Sequence, residues 1–150
     1  MKIVIQRVAK ASVSIHKKKV AAIKNGLLIF VGIVNEDGQE DINFLVRKIV
    51  NLRIFNDENK VMNCSLLEVN GDAIVVSQFT LHASTKKGNR PSYLKAAKPE
   101  IAVPLYQNFI RTLAQELGKK VQTGEFGADM TDTLLNDGPV TISIDSKNKE

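Results

Sequence analysis

The chain has 150 residues, of which 43% are hydrophobic and 25% charged, a length and composition that suit one globular domain and exclude disorder of the whole chain. Its single cysteine, Cys64, excludes an intrachain disulfide and fits a reducing compartment, and with only two histidines the usual structural zinc site is not expected. The 21 basic and 16 acidic residues give a net charge of +5.

The N-terminal sequence predicts neither a signal peptide nor a membrane span. Its first apolar run breaks at Gln6, and the longest apolar stretch, residues 26–34, has nine residues including two glycines. A membrane-spanning helix needs about 20 residues. We therefore expect one domain over residues 1–150, located in the cytoplasm and without a membrane partner.

Strands are predicted for the first third of the chain. Residues 2–8 are rich in β-branched side chains, and residues 11–16 alternate polar and apolar side chains with a period of two. Residues 20–23 continue the run, and residues 26–34 are apolar enough for a buried central strand.

The apolar period then changes to that of a helix. Asp37, followed three residues later by Glu40, predicts a capping box at its start. Residues 52–55 predict a short strand after it. The apolar face of the helix is formed by side chains spaced three and four apart: Ile42, Leu45, Val46, Ile49 and Val50.

A hairpin is predicted next, with residues 65–69 and 73–81 as its arms and Asn70-Gly71-Asp72 as its tight turn, because Asn-Gly readily adopts positive φ. A second helix is predicted over residues 100–117, with Pro104 in or near its first turn and Gly118 as its stop.

Two more strands, residues 121–126 and 140–144, complete the predicted elements. The total is about eight strands and two substantial helices, with most strands clustered in hairpins. This pattern indicates an α+β fold, in which a mainly antiparallel, curved or barrel-like sheet carries the two helices on its outside.

The basic residues concentrate in one segment. No acid occurs between Asp72 and Glu100, whereas five basic residues do. The Gly, Asn, Pro and Ser content of residues 85–92 predicts a loop there. Such a loop is either a solvated surface feature or a contact for phosphates, whose attraction requires no fixed geometry. The five basic residues are Lys86, Lys87, Arg90, Lys95 and Lys98.

The end of the predicted strand 73–81 offers a candidate for nucleophilic chemistry. Strand alternation would put Gln78, Thr80 and His82 on one face, with a hydroxyl beside a base. No acid within two residues of His82 would orient it. By spacing alone, Thr80 is better explained as an ordinary strand residue and His82 as an exposed strand end.

Gly138-Pro139 precedes the last predicted strand, and locally this dipeptide indicates a turn, with a cis peptide bond as the alternative. The sequence contains no P-loop and none of the G-x-G-x-x-G, G-x-S-x-G or H-E-x-x-H motifs. Common forms of nucleotide-dependent phosphoryl transfer and serine-hydrolase chemistry are therefore disfavoured.

Several segments of the chain match one known family together. Residues 1–8 match its opening strand, and residues 88–93 look like a loop between its two signature motifs. Those motifs are Ser77-Gln78-Phe79-Thr80-Leu81 and Gly138-Pro139-Val140-Thr141. The chain thereby resembles the D-aminoacyl-tRNA deacylases over essentially all 150 residues. His82, Lys86 and Lys87 lie outside the resemblance.

The resemblance implies a homodimer that hydrolyses the ester between a D-amino acid and the 3′ end of tRNA, with no cofactor, metal or DNA partner. The Gly138–Pro139 bond would be cis, and this motif would reach into the pocket of the other subunit. Its main-chain carbonyls would hold the α-amino group, while an L side chain would collide with backbone. Glycyl-tRNA, with no side chain to exclude, would also be cleaved.

The resemblance also implies how the ester is cleaved. The 2′-OH of the terminal adenosine, or a water it positions, would act at high effective concentration, while backbone N–H groups near Phe79 and Thr80 stabilise the oxyanion. Thr80 is then expected to position the substrate rather than attack it. Phe79 would pack under its motif or against the terminal nucleotide.

The remaining residues receive supporting roles. Ser77 and Gln78 would shape the pocket around the adenosine, and Arg7 would anchor the Gly-Pro loop of the partner subunit. Because the basic loop directly follows the pocket strand, its side chains are expected to meet acceptor-stem phosphates. The supporting residues of the Gly-Pro motif are Arg7, Val140 and Thr141, and the phosphate contacts are Lys86, Lys87 and Arg90.

Two other functions remain open from the residues alone. A non-enzymatic RNA-binding module would bind tRNA whatever amino acid is attached, although the closely spaced aromatics of an RNA-binding sheet are missing. A small-molecule ester or amide hydrolase using Thr80 and His82 would act without RNA. Neither alternative explains the paired motifs.

Overall fold

The computed structural model describes residues 1–149. Its two α-helices, eight strands and one short 3₁₀-helix follow each other in this order: β1 Lys2–Ile15, β2 Lys18–Ile23, β3 Gly26–Gly32, α1 Gln39–Asn51, β4 Phe55–Asn56, β5 Met62–Cys64, β6 Asp72–Ser77, the 3₁₀-helix Phe79–His82, α2 Pro99–Leu117, β7 Gln122–Thr123 and β8 Met130–Asp145.

The long strand β1 organises the sheet. Its first half pairs with β3 and its second half with β2, both antiparallel, while β8 runs antiparallel along its other edge. The two strands predicted at 2–8 and 11–16 are therefore one continuous strand. Residues 9 and 10 are exposed, which interrupts the burial pattern but not the strand.

From β1 the sheet continues through β3 to β6 and β7, and it is mixed, because β3 pairs with β6 and β6 with β7 in parallel. A parallel pair needs a crossover connection, and α1 and α2 provide the two crossovers. β2 also contacts β6 and β7, so the sheet curls into a nearly closed barrel. The predicted barrel-like α+β fold with two helices is confirmed, with a parallel part that the sequence did not reveal.

Two apolar cores lie on opposite faces of the sheet. In β3, Leu27, Ile29 and Val31 pack toward the helices, against Leu45 of α1 and Phe109 of α2. The alternate residues of β3 join a smaller core inside the curl of the sheet. The continuous apolar run of β3 thus reflects a strand that is covered on both faces.

The predicted hairpin arm at residues 65–69 is wrong, because these residues form turns. The Ser65 backbone N–H donates to a Glu68 carboxylate oxygen at 2.6 Å, and the Glu68 N–H donates to the Ser65 hydroxyl at 3.2 Å. This reciprocal pair satisfies two backbone donors locally, as a helix cap does.

Several boundaries also differ from the prediction. Of residues 52–55 only Phe55 is in a strand, and of residues 121–126 only Gln122–Thr123 are. The last strand begins at Met130, ten residues before the predicted start at 140. Its first half alternates exposed and half-buried residues, but polar side chains such as Asp132 on the half-buried face hid this period.

The helix ends were predicted more closely than the strands. α2 stops at Gly118 as expected, with φ 67°, but its first residue is Pro99, so Pro104 lies inside the helix beyond the first turn. α1 is capped at Gly38, whose N–H donates to Asp41 at 2.9 Å, and the predicted Asp37–Glu40 box is therefore wrong. Asp37 accepts a hydrogen bond from the Val34 N–H instead.

Within residues 1–149, no helix has the length and apolar character needed to cross a membrane.

Candidate active site

The residues after β6 leave the sheet and form a turn of 3₁₀-helix. The Gln78 N–H donates to the Val31 carbonyl at 2.7 Å, which ties this segment to the end of β3. Phe79–His82 then coil, so the predicted alternation of Gln78, Thr80 and His82 on one strand face is wrong. The strand pattern fails here because a run of four residues is too short for its period to distinguish a strand from a helical turn.

A cavity of about 150 Å³ opens beside this turn. Ser77, Gln78 and Phe79 form one wall, and most of the lining is apolar. The sequence predicted this wall, but it did not reveal the rest of the lining, whose small and apolar residues carry no motif. The missed residues are Val31, Ile33, Ala97, Ala102, Phe126, Gly127, Ala128 and Met130.

The Thr80 hydroxyl accepts a hydrogen bond from the side-chain amide of Gln78, with 2.5 Å between the two atoms. His82 is buried rather than exposed, and its Nε2 has no hydrogen-bond partner. A Cβ at Gly32 would lie 3.0 Å from His82 Cδ2, so the imidazole packs against the end of β3. The nucleophile–base pair of Thr80 and His82 is not formed, and the expectation of an exposed His82 is also wrong.

Phe79 lies at the rim of the cavity. Its side chain is 54% exposed, and its ring meets the ring of Tyr93 edge to face, with the centroids 5.1 Å apart. The backbone N–H groups of Phe79 and Thr80 belong to the first turn of the 3₁₀-helix, where amides have no partner within the helix. They are candidate donors for a negatively charged oxygen.

The second motif forms a bulge in the pairing of β1 with β8. Gln6 pairs with Thr141 and Val8 with Asn136, so residues 137–140 of β8 stand opposite Arg7 alone. The peptide bond between Gly138 and Pro139 is cis, and Gly138 has φ 126°, a conformation that L side chains rarely adopt.

The side chain of Arg7 fixes this bulge to the rest of the chain. This side chain is buried, and its guanidinium donates to the Asp137 carbonyl at 3.0 Å and to the Ile54 carbonyl at 2.6 Å. A Cβ at Gly138 would lie 2.8 Å from Arg7 Nη2. The contacts that Arg7 makes are thus with the bulge of its own chain, whereas the sequence predicted contacts with that of a partner.

The two motifs do not meet in one cavity within a single chain. Gly138 and Pro139 are exposed, and neither lines the cavity beside Ser77–Phe79. After them, Val140 packs on the main core and Thr141 returns to pairing with Gln6. The bulge therefore projects from the sheet with its base fixed.

The predicted basic loop is present and exposed. Two hydrogen bonds between the backbones of Ser84 and Ser92, of 2.8 and 2.9 Å, close its base directly after the 3₁₀-helix. Lys86, Lys87 and Arg90 are exposed within it. In the described part of the chain, no group of three or more His, Cys, Asp or Glu side chains is arranged to hold a metal ion.

The comparisons with known proteins agree across the whole length of the chain. The family model described as D-Tyr-tRNA(Tyr) deacylase matches residues 4–145. A D-aminoacyl-tRNA deacylase of Flavobacterium psychrophilum is 69% identical over 150 residues, which is 100% of both chains. A second, from Bacteroides fragilis strain YCH46, is 65% identical with the same coverage.

Two solved structures share the fold. One, named c-Myc DNA Unwinding Element Binding Protein, has a TM-score of 0.89 and 39% identity, and the match covers 97% of this chain and 98% of that one. The other, a probable eukaryotic D-amino acid tRNA deacylase, has a TM-score of 0.81 over 95% of this chain and 97% of that one. At 17% identity, this second likeness concerns the fold alone.

Proposed function

The chain belongs to the D-Tyr-tRNA(Tyr) deacylase family, and from that premise we propose that it hydrolyses the ester of D-aminoacyl-tRNA to free amino acid and tRNA. The observation that carries the proposal is the cavity walled by Ser77, Gln78 and Phe79, beside which the backbone N–H groups of Phe79 and Thr80 start a helical turn. An apolar cavity with a few polar groups at one wall suits a small ester-linked group.

In the proposed reaction the tRNA supplies part of the chemistry. A water that the 2′-OH of the terminal adenosine positions attacks the carbonyl carbon of the neighbouring ester at high effective concentration, and the 3′-oxygen leaves with the proton that the water gives up. The N–H groups of Phe79 and Thr80 donate to the oxyanion that develops. Ser77 and Gln78 shape the pocket, and Gln78 also fixes the Thr80 hydroxyl through their 2.5 Å hydrogen bond.

Chiral selection comes from the Gly138–Pro139 bulge of a second subunit in a homodimer. The exposure of this bulge and its absence from the cavity lining of its own chain support a role in another chain's site. Its main-chain carbonyls hold the substrate's α-amino group and leave room for a D side chain, whereas an L side chain meets backbone that Arg7 holds in place. Glycyl-tRNA passes the same filter.

The acceptor stem reaches the basic loop in this proposal. Lys86, Lys87 and Arg90 are exposed on a loop that starts right after the 3₁₀-helix of the site. Contacts to phosphates are independent of base sequence, which suits an enzyme that serves many tRNAs. The reaction takes place in the cytoplasm, where charged tRNA is used.

The experiment compares release of the amino acid from D-tyrosyl-tRNA, L-tyrosyl-tRNA and glycyl-tRNA by the purified protein. We expect fast release from the D and glycyl substrates and at least about a hundredfold slower release from the L substrate, because an added steric clash of a few kcal/mol gives such a ratio.

The alternatives predict other outcomes of that comparison. Binding of all three substrates without cleavage would leave an RNA-binding protein of the same fold. Cleavage of simple esters without RNA, together with its loss in His82→Ala, would identify a small-molecule hydrolase instead. The matched control for that variant is His16→Ala, since His16 lies in the turn between β1 and β2.

A further inference from the structure

Beyond the cavity, two aromatic rings lie at the surface against each other. Phe79 is 54% and Tyr93 39% exposed, and their planes meet at 77°. The neighbouring Leu94 is 93% exposed. Large apolar side chains gathered at the surface mark interaction sites more often than isolated ones do.

This aromatic pair is held in place from both sides. Phe79 belongs to the 3₁₀-helix that the Gln78 N–H ties to β3. Tyr93 follows the paired Ser84 and Ser92, and its own carbonyl accepts from the Ala96 N–H at 3.0 Å. The rings therefore present a preformed surface, and binding to it costs little ordering entropy.

The segment that carries both rings has charge of one sign. Five basic residues and no acid occur between Asp72 and Glu100, the stretch that contains both rings. Aromatic faces bordered by cations are the recurrent surface of proteins that bind single-stranded nucleic acid, because bases stack on the rings while phosphates meet the cations.

We propose that Phe79 and Tyr93 form a stacking platform for the unpaired nucleotide that immediately precedes the terminal adenosine of tRNA. The proposal rests on the proposed function, in which the cavity beside Phe79 takes the aminoacyl end. Since Phe79 lines the cavity and also touches Tyr93, the RNA strand that leaves the cavity meets the Tyr93 side of the pair.

A second copy of this chain is a poorer occupant of the same surface. An interface between identical patches would bring the cations of one copy against those of the other, for example Lys95 and Lys98, without an acid between residues 73 and 99 to pair with them. The phosphates of RNA supply the opposite charge.

The test measures, by fluorescence anisotropy, the Kd of an RNA hairpin that carries an acceptor stem and a 3′-CCA end without an attached amino acid. Tyr93→Ala is expected to weaken binding about tenfold, because base–aromatic stacking accounts for roughly that factor or more. Tyr93→Phe keeps the ring and is expected to bind within about twofold of the unchanged protein. Leu67→Ala, in the turn that contacts α1, is the control for loss of an exposed apolar side chain.

A second hairpin, which lacks the base of the penultimate nucleotide, identifies the stacked position. The unchanged protein should bind it about tenfold more weakly, and Tyr93→Ala should bind both hairpins equally, because the stack is then already lost. Tyr93→Leu keeps apolar volume without a ring and should behave as Tyr93→Ala does.

Equal binding of the intact hairpin by Tyr93→Ala and the unchanged protein would overturn the platform. Additive effects of Tyr93→Ala and of the missing base on the binding free energy would also overturn it. So would a lower oligomer mass of Tyr93→Ala by light scattering, because the ring would then belong to a protein interface. Because the hairpin carries no amino acid, this test does not depend on ester cleavage. If only the proposed function failed, D-tyrosyl-tRNA would remain uncleaved while the coupling between the Tyr93 ring and the base persisted.

Discussion

At the scale of single residues, Thr80 is the group whose role the contacts define most narrowly. Its hydroxyl oxygen accepts a hydrogen bond from the Gln78 amide. Accepting this bond lowers the electron density on the oxygen, which a nucleophile needs. His82 turns into the protein without a partner for Nε2. We therefore propose that Thr80 positions the substrate and does not attack the ester.

For Thr80→Ala we predict a fall in single-turnover deacylation of D-tyrosyl-tRNA of less than about tenfold, because only one hydrogen bond is lost. Thr80→Ser is the control, since it keeps the hydroxyl. Rapid-quench kinetics at saturating enzyme gives the rate of the chemical step. A loss of about 10⁴-fold or more with unchanged tRNA binding, as expected when a nucleophile is removed, would show that Thr80 attacks the ester.

At the scale of elements, the segment after β8 fastens the start of α1. The Ser146 hydroxyl donates to Asp41 at 2.6 Å, and the Lys147 ammonium donates to the other carboxylate oxygen at 2.9 Å. The Met1 amino group contacts Asp37 and donates to Ser146 at 2.9 Å. β1, α1 and the end of β8 are thereby joined through one buried polar cluster.

This cluster makes the stability of the fold depend on acid pH. Burial of the Asp41 carboxylate acts to raise its pKa, but hydrogen bonds from Ser146, Lys147 and the Gly38 backbone outweigh it and lower the pKa from 3.8 to about 2. A carboxyl with a depressed native pKa stabilises the fold above its unfolded pKa. That contribution, about 2 kcal/mol, is lost as the pH falls from about 4 to 2.

We therefore predict that Asp41→Asn lowers the free energy of unfolding by about 2 kcal/mol at pH 6 and by less at pH 3. At pH 3 the carboxyl is largely protonated in the unfolded state, so the unchanged protein has already lost part of the stabilisation that the carboxylate provides. Urea unfolding from pH 6 to 3 measures the difference. Glu116→Gln, at an exposed position of α2, is the matched control. A difference between Asp41→Asn and the unchanged protein that stays constant with pH would contradict the linkage.

At the scale of the whole molecule, the two motifs do not line one cavity within a single chain, and the proposed site needs both. A substitution in each motif should inactivate its own homodimer. Gly138→Ala places a Cβ 2.8 Å from Arg7 Nη2 at a φ of 126°, which displaces the bulge. Gln78→Ala removes a cavity wall and the partner of Thr80.

Mixing these two inactive variants after unfolding and refolding them together tests whether the site spans two subunits. In a mixed dimer, the cavity of Gly138→Ala meets the intact bulge of Gln78→Ala, so we predict recovery of about a quarter of the normal rate of D-tyrosyl-tRNA cleavage. Each variant refolded alone is the control. If cavity and bulge worked within one chain, every site in the mixture would carry a defect and no activity would return.

Much of this molecule was determined by the sequence alone. Both helices follow from an apolar period of 3.6 residues, with Gly118 ending the second, and β3 from its unbroken apolar run. These are local properties of the chain, since side-chain spacing and glycine conformation act within a few residues. The two motifs and the basic loop were also found by sequence, because residue types rather than positions identify them.

The tertiary structure decided where those residues lie. The turn of Phe79–His82 into a helix, the burial of His82 and the position of Arg7 under the bulge depend on β3 and β8, which lie far away in the sequence. The parallel pairing of β3 with β6 and the part of the cavity lining outside the motif have the same origin. Contacts between distant segments carry no local period, so no pattern along the chain reveals them.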